Sequence, residues 1–480
     1  MRKLLFLTLL YLLIAQLSIA QKRTVLNINF ENFKDSVIRL SIPVADGKFA
    51  QESINEYISK RNDGHFHFDF PLNETALITI YSSIVGSVIT VPGTFSILVN
   101  PGDSLNFALQ DNKLGLTNME ITGKGSEKLI IIKEVTKRMN SNHLFTKPYR
   151  LQNITERYME MDRSLDIIDS MFNINPQKHT RDFRLAKAQL VDQTLDPIIL
   201  QSVDRYDDSV AKLFKKFIVN KNRINPLLDT LTIDYFGGFH VLPAYIYLSN
   251  MDQIGDRYDQ FRYNHPLEYA SLVEREFAHL PFVKDYLHAD NAISIFRFNW
   301  YNQISKDTYK MYVKNVNKKD AHFRTVANEF RLLKDFQKTG KPFFNFNLPD
   351  TNGVYHSLKE FKGKVVILDF WFTGCGACKT LVPELAKIES ELKSDQIQFV
   401  SISVDQTVPV WKRGIGTYSV GSSVQLYTEG KRYNHPIIKF GKISAFPTLI
   451  VLDKEGRIVG IPPHPMKDPK GFKEYIMKCL

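Results

Sequence analysis

Phe370-Trp371-Phe372-Thr373-Gly374-Cys375-Gly376-Ala377-Cys378-Lys379 holds two of the chain's three cysteines. A helix that starts at this pair puts the first thiol at its N-terminus and the second one turn in. There the first-turn N–H groups and the positive end of the helix dipole stabilise a thiolate, drawing a cysteine pKa from roughly 8.5 toward about 7 or lower. Only thiolates attack disulfides, so the spacing supplies a nucleophile and a partner able to resolve the mixed disulfide. Half a zinc site has the same spacing, but zinc needs a second pair of soft ligands, and the remaining cysteine is Cys479, at the far end. No metal and no cofactor is therefore expected.

The flanks narrow the reading. Val365 to Phe370 is an apolar, β-branched run that predicts a strand buried on both faces and ending at the motif. Leu381, Leu385, Ile388 and Leu392 then recur at spacings of 4, 3 and 4, one face of a helix interrupted early by Pro383, where a kink is expected. Phe446-Pro447-Thr448 opens a further apolar strand over Leu449 to Leu452, closed by the turn Asp453-Lys454-Glu455-Gly456. Asp369 is an acid inside the apolar strand. An unpaired carboxylate there is costly and tends to keep its proton, whereas one at a solvated strand end does not.

These residues resemble the thioredoxin fold, and more closely its periplasmic TlpA/ResA-like branch. The matching frame runs from Gly340-Lys341-Pro342 through Leu348-Pro349-Asp350, Gly353, Ser357-Leu358 and Phe361 to Val366, and on through Phe370-Trp371, Cys375, Cys378 and Pro383 to Phe446-Pro447-Thr448. The resemblance implies that Cys375 attacks and Cys378 resolves, the two forming the redox disulfide. It also implies that Pro447 is a cis-proline which, with Trp371 and Phe446, meets an extended substrate segment, and that Asp369 moves a proton to or from the resolving thiol. Three positions depart from the family. Gly374 stands where a tryptophan is usual, Ala377 replaces a proline, and Ser401 occupies the place of a lysine facing the buried acid. Because such residues tune thiolate stability, the direction of electron flow is open between reductant and oxidant or isomerase. A peroxidase is disfavoured, since the threonine and proline it requires are Phe372 and Leu368 here.

The N-terminus carries an address. Arg2 and Lys3 precede an apolar run from Leu4 to Ala15, and Ser18-Ile19-Ala20 has small residues where a signal peptidase reads, so cleavage after Ala20 is expected, an uncleaved anchor being the alternative. Export to the periplasm or cell envelope follows. The 480 residues have a net charge of +11, and losing Arg2 and Lys3 would leave two fewer positive charges. No nucleic-acid module accompanies that charge, and a hydrophobic content of 44% suits globular domains with real cores.

Residues 21–122 read as an all-β sandwich. Leu26, Ile28 and Phe30 alternate with polar neighbours, as do Phe66, Phe68 and Phe70 with His65, His67 and Asp69; further strands are expected over Ala76 to Tyr81, Thr94 to Val99 and Ser104 to Leu109. This rhythm, with the turn Val99 to Asp103, loosely resembles the small β-rich domain that precedes TlpA-like modules in Bacteroidetes. His65 and His67 share a face, with no third metal ligand in sequence nearby. Gly123-Lys124-Gly125-Ser126 lacks the earlier glycine of a phosphate loop and reads as a boundary turn.

From 123 to 338 the period is helical. Leu151, Ile154, Tyr158, Met161, Leu165, Ile168 and Phe172 fit either a dimerising coiled coil or one helix of a local bundle. Glycines, His240 and Pro243 within the apolar run Tyr235 to Met251 argue against a membrane span. Residues 339–480 make the α/β thioredoxin-like domain, with Phe343 to Leu348 as its entering strand. The segment from Val404 to Phe446 is longer than a minimal thioredoxin needs and is expected to line the substrate groove. Cys479 shares a terminal helix face with Phe472 and Ile476 and reads as an inert, buried thiol. The expected activity is reduction of protein disulfides, with protein disulfide substrates and a membrane-bound electron donor as partners. The alternative is an envelope scaffold to which the redox module is auxiliary.

Overall fold

The computed structural model describes residues 22–30, 37–43, 54–60, 65–82, 88–89, 97–109, 119–141, 153–205, 207–233, 241–255, 257–299, 303–320, 322–336, 340–441, 443, 445–466 and 468–480. The expected signal peptide over 1–20 and the expected boundary at 338 fall outside them. The described chain divides into two compact units, one reaching Leu287 and the other running from His288 to Leu480.

In the first unit, β1 (Arg23–Phe30), β2 (Val37–Pro43), β3 (Ile54–Lys60), β4 (His65–Pro71), β5 (Ala76–Ser82), β6 (Val88–Ile89), β7 (Ile97–Val99), β8 (Ser104–Leu109) and β9 (Met119–Lys124) form two sheets. One has the order β4-β1-β8-β9; the other has the order β3-β2-β5-β6, with β7 also paired to β5. Alternation decides which faces are buried. On β4, Phe66, Phe68 and Phe70 point inward while His65, His67 and Asp69 are exposed, and Leu26 and Ile28 of β1 are buried beside them. The expected strand over Thr94 to Val99 is seen as β7 alone, since 94–96 lie outside the described residues.

Gly123 and Gly125, both at positive φ, close the turn from β9 into α1 (Glu127–Ser141), the first helix among the described residues. A Cβ on Gly123 would lie 2.0 Å from the Ser104 carbonyl oxygen, which explains the glycine without any phosphate. The helices that follow are α2 (Ile154–Asn173), α3 (Arg181–Asp204), α4 (Asp208–Phe214), α5 (Val241–Ser249), α6 (Tyr258–Asn264), α7 (Pro266–Phe277) and α8 (Pro281–Asn299), the last containing the division between Leu287 and His288. Asn153 caps α2, its side chain accepting the Glu156 N–H at 2.8 Å. The stripe Ile154, Tyr158, Met161, Leu165, Ile168 and Phe172 is buried, and Tyr158 and Phe172 meet Ser202 and Phe183 of α3. Packing within the unit thus accounts for the stripe. Leu151 lies outside the described residues, as do 235–240 of the apolar run. Among the described residues no helix is long and apolar enough to cross a membrane.

The second unit continues with α9 (Gln303–Asn315) and α10 (Phe323–Phe336). It then forms a hairpin of β10 (Asn347–Pro349) and β11 (Tyr355–Ser357), shorter than the strand expected from Phe343, and a mixed sheet. The sheet order is β14 (Val424–Tyr427), β13 (Ile397–Ser403), β12 (Val365–Trp371), β15 (Thr448–Leu452), β16 (Ile458–Gly460). The first three are parallel, and β15 runs antiparallel to both β12 and β16. Strand β12 is buried along its whole length. Val366, Leu368 and Phe370 enter one core; Val365 and Ile367 enter the other, against Leu381, Leu385 and Ile388 of α11 (Gly376–Glu391) and Phe472 and Ile476 of α14 (Pro469–Met477). Between these come α12 (Val408–Gly414) and α13 (Pro436–Gly441). Each fully buried Leu or Ile contributes roughly 1.5–3 kcal/mol, so the two-sided strand is the firmest part of this unit. Period two also puts Asp369 and Trp371 on the α11 side of the sheet.

Candidate active site around Cys375 and Cys378

A four-residue loop, Phe372 to Cys375, carries the chain from β12 into α11. Cys375 is the N-cap of α11, and its Sγ accepts the Cys378 backbone N–H at 3.1 Å. This is the donor set that favours a thiolate at a helix start. Cys375 and Cys378 are joined to each other by a disulfide, with Cα atoms 5.2 Å apart. Both are largely buried, in a cluster with Trp371, Trp411 and Tyr427, and Phe372, Ile415, Tyr418 and Phe446 pack partly exposed around it. Pro383 lies inside α11 without ending it.

Asp369 is buried within β12 rather than solvated at its end. Ser401, its neighbour across the parallel pair, donates to Oδ2 at 3.2 Å, and Oδ1 has no hydrogen-bond partner. Burial pushes the carboxyl up to about 7; the Ser401 hydroxyl opposes this, and the charge of Glu389 on α11 adds to it. Asp369 is thus a group able to take or give a proton near neutrality.

The Phe446–Pro447 peptide bond is cis, immediately ahead of β15. Phe446 is half-buried and meets the edge of Phe372 at 5.4 Å. Trp371 departs from the expectation of a substrate-binding surface. It is fully buried, because an odd position on a two-sided strand points into the core, and it supports the cysteines from inside. Trp411, in the long segment before Phe446, is likewise buried and stacks on Tyr427 at 5.0 Å. That segment contributes Ile415 and Tyr418 to the rim.

Sequence reading missed Thr373 and Asp405. The buried Asp405, just past β13, accepts the Thr373 N–H on Oδ1 and the Thr373 hydroxyl on Oδ2, each at 2.9 Å; the Ser403 hydroxyl also donates to Oδ2 at 2.9 Å. The Thr373 hydroxyl is 3.1 Å from the Val410 carbonyl oxygen as well. The signal was an acid at the C-terminal end of the strand beside β12.

The other candidates lie apart. His65 and His67 are on the exposed face of β4, with His67 Nδ1 2.7 Å from Asn27 Oδ1. Among the described residues no group of three or more His, Cys, Asp or Glu side chains is placed to hold a metal ion. Cys479 follows α14, half-buried; its thiol donates to the Tyr475 carbonyl at 3.1 Å, and burial pushes its pKa up.

The redoxin family matches residues 338–476. The thiol-disulfide oxidoreductase ResA of Bacillus subtilis is 29% identical over 137 residues, which cover 28% of this chain and 74% of that protein. The thioredoxin-like protein YneN of the same organism is 26% identical over 120 residues, covering 24% and 66%. Among solved structures, the thioredoxin domain of a thiol-disulfide oxidoreductase from Bacteroides vulgatus is 27% identical, with a TM-score of 0.27, covering 29% of this chain and 96% of that one. The chain carries a redoxin domain over residues 338–476, similar to the thiol-disulfide oxidoreductases of the ResA type.

Proposed function

We propose that the chain is an exported thiol-disulfide oxidoreductase that reduces protein disulfides through Cys375 and Cys378. The observation that carries this is Cys375 at the N-cap of α11, its Sγ facing the Cys378 N–H and within bonding reach of the Cys378 sulfur. In the reduced protein the Cys375 thiolate attacks one sulfur of a substrate disulfide, forming a mixed disulfide and releasing the other sulfur as a thiolate, which takes a proton from solvent. The Cys378 thiol gives its proton to ionised Asp369 and attacks Cys375 Sγ. This closes the internal disulfide and frees the second substrate thiolate. Two electrons have then passed to the substrate, and a membrane-bound thiol donor restores the dithiol.

Phe446 packs against the cysteine cluster and is followed by the cis bond to Pro447, and this pair is the surface on which a substrate segment would lie. The basic N-terminus, apolar run and small residues before position 21 support export to the periplasm or envelope. Both sheets of residues 23–124 have a buried apolar face, which favours a small β-sandwich. Insulin reduction by the full chain with dithiothreitol tests the activity. Cys375→Ser should abolish turnover, and a variant as active as the parent overturns the reading.

A further inference from the structure

We propose that Asp405 is a positioning residue for the nucleophile, holding the Thr373–Gly374 turn so that Cys375 stays at the N-cap of α11. This rests on the function proposed above. The loop from β12 to α11 is closed by the Cys375 N–H, which donates to the Phe372 carbonyl at 3.2 Å, and Phe372 meets Phe446, but neither contact is made by Thr373 or Gly374 themselves. Gly374 is at φ +99 and exposed, and a Cβ built there meets nothing within 4 Å, so no side chain braces the turn from outside. Bracing comes from beneath, through Thr373. Its N–H and hydroxyl both end on the Asp405 carboxylate at 2.9 Å.

Asp405 is itself fixed. Its N–H donates to Ser403 Oγ at 3.1 Å, the Ser403 hydroxyl returns a bond to Oδ2, and the neighbouring Val404 N–H donates to the Trp371 carbonyl at 3.0 Å. Helix α12 closes the other side. A Cβ on Gly414 would lie 2.2 Å from Thr373 Oγ1 and 2.8 Å from the Trp371 ring, so this glycine lets the helix press on the hydroxyl. Bonds from Ser403 and Val404 would suffice to finish strand β13. The two bonds from Thr373 do something else, tying the strand end to the residue two before Cys375.

Without that tie, Thr373 and the unbraced Gly374 can rotate, and Cys375 Sγ drifts from the Cys378 N–H. The thiolate loses its donor, and the pH at which Cys375 ionises moves up. Removing a negative charge would move it down, so the sign separates a positional role from an electrostatic one. The other ionisable groups on the elements meeting at the disulfide are Asp369 of β12, Cys378, Lys379, Glu384, Lys387, Glu389 and Glu391 of α11, Lys412 and Arg413 of α12, Tyr427 of β14, and Tyr418. None is altered in the variants below.

The test is the pH dependence of iodoacetamide alkylation of Cys375 in the reduced full chain, read by peptide mass to separate it from Cys378 and Cys479. Asp405→Ala should raise the midpoint by about one pH unit, slowing alkylation below the midpoint roughly tenfold. Asp405→Asn, which keeps an acceptor for the Thr373 N–H and a group that can pair with its hydroxyl, should stay near the parent. Thr373→Ala should shift the midpoint upward by less than Asp405→Ala. A downward shift in both Asp405 variants, or no shift in any, overturns the proposal. If Asp405→Ala does not fold, an unmoved midpoint in Thr373→Ala overturns it. A parent whose Cys375 ionises no earlier than an ordinary thiol defeats the proposed function; a reactive parent with unaffected variants defeats the positioning role alone.

Discussion

Replacing Asp369 by asparagine should change how the stability of the redoxin domain depends on pH. Asp369 is 5% exposed, with one oxygen unpartnered and the other held by Ser401, and burial raises its carboxyl to about 7. An unfolded aspartate titrates near 3.9, so the folded form holds the extra proton between about pH 4 and pH 7. The contribution of this group to stability is therefore greatest below about pH 4 and is lost as pH rises through about 7. The gap of about three pH units corresponds to about 4 kcal/mol in full, of which about 3 kcal/mol falls between pH 5 and pH 8. Asparagine carries no such titration. Urea unfolding of parent and variant at pH 5 and pH 8 measures it, followed by tryptophan fluorescence, since Trp371 and Trp411 are two of the three tryptophans and both lie in the buried cluster. Subtracting the variant cancels the other carboxylates, including Asp350, Glu360 and Glu429, whose pKa values hydrogen bonds lower. The stability of the variant relative to the parent should rise by about 3 kcal/mol from pH 5 to pH 8, and a difference constant to within about 0.5 kcal/mol would refute the reasoning.

Cys378→Ser should leave the first attack intact but block resolution, so that the mixed disulfide accumulates as a higher-mass adduct with a disulfide-bonded protein on non-reducing gels, while Cys375→Ser gives none. Gly414→Ala forces its new methyl against Thr373 and the Trp371 ring, and should cost about 1–3 kcal/mol in the same fluorescence-detected unfolding. In the first unit, the buried Lys128 donates to Asp103 Oδ2 at 2.6 Å and to the Gly125 carbonyl at 2.8 Å. Asp103→Ala leaves that ammonium with the Gly125 carbonyl and the Asp182 carboxylate at 3.8 Å, and should destabilise this unit by about 1.5–3 kcal/mol, seen as faster proteolysis of its strands and helices with the redoxin domain unaffected.

The parts of this structure legible in sequence are those that local periodicity dictates. Val365 to Phe370 reads as a two-sided strand because every residue but Asp369 is apolar, and it is one; Leu381, Leu385, Ile388 and Leu392 mark a helix face, and all four are buried. Phe66, Phe68 and Phe70 alternate with polar residues and bury alternately. Cysteine spacing located the site because the helix start fixes both thiols at once. Two things escaped. The family resemblance implied that Trp371 meets substrate, but its strand parity sends it inward. The Thr373–Asp405 pair spans 32 residues and depends on β13 lying beside β12, a tertiary fact with no periodic trace.

Mass-resolved alkylation of the full chain across a glutathione redox series tests most directly whether Cys375 and Cys378 form one exchangeable couple. The account predicts that the two thiols disappear together along a single two-electron curve while Cys479 stays free, and that in the reduced protein Cys375 is alkylated first near neutral pH. Two cysteines that oxidise independently, or that remain thiols up to the most oxidising ratio, would contradict it.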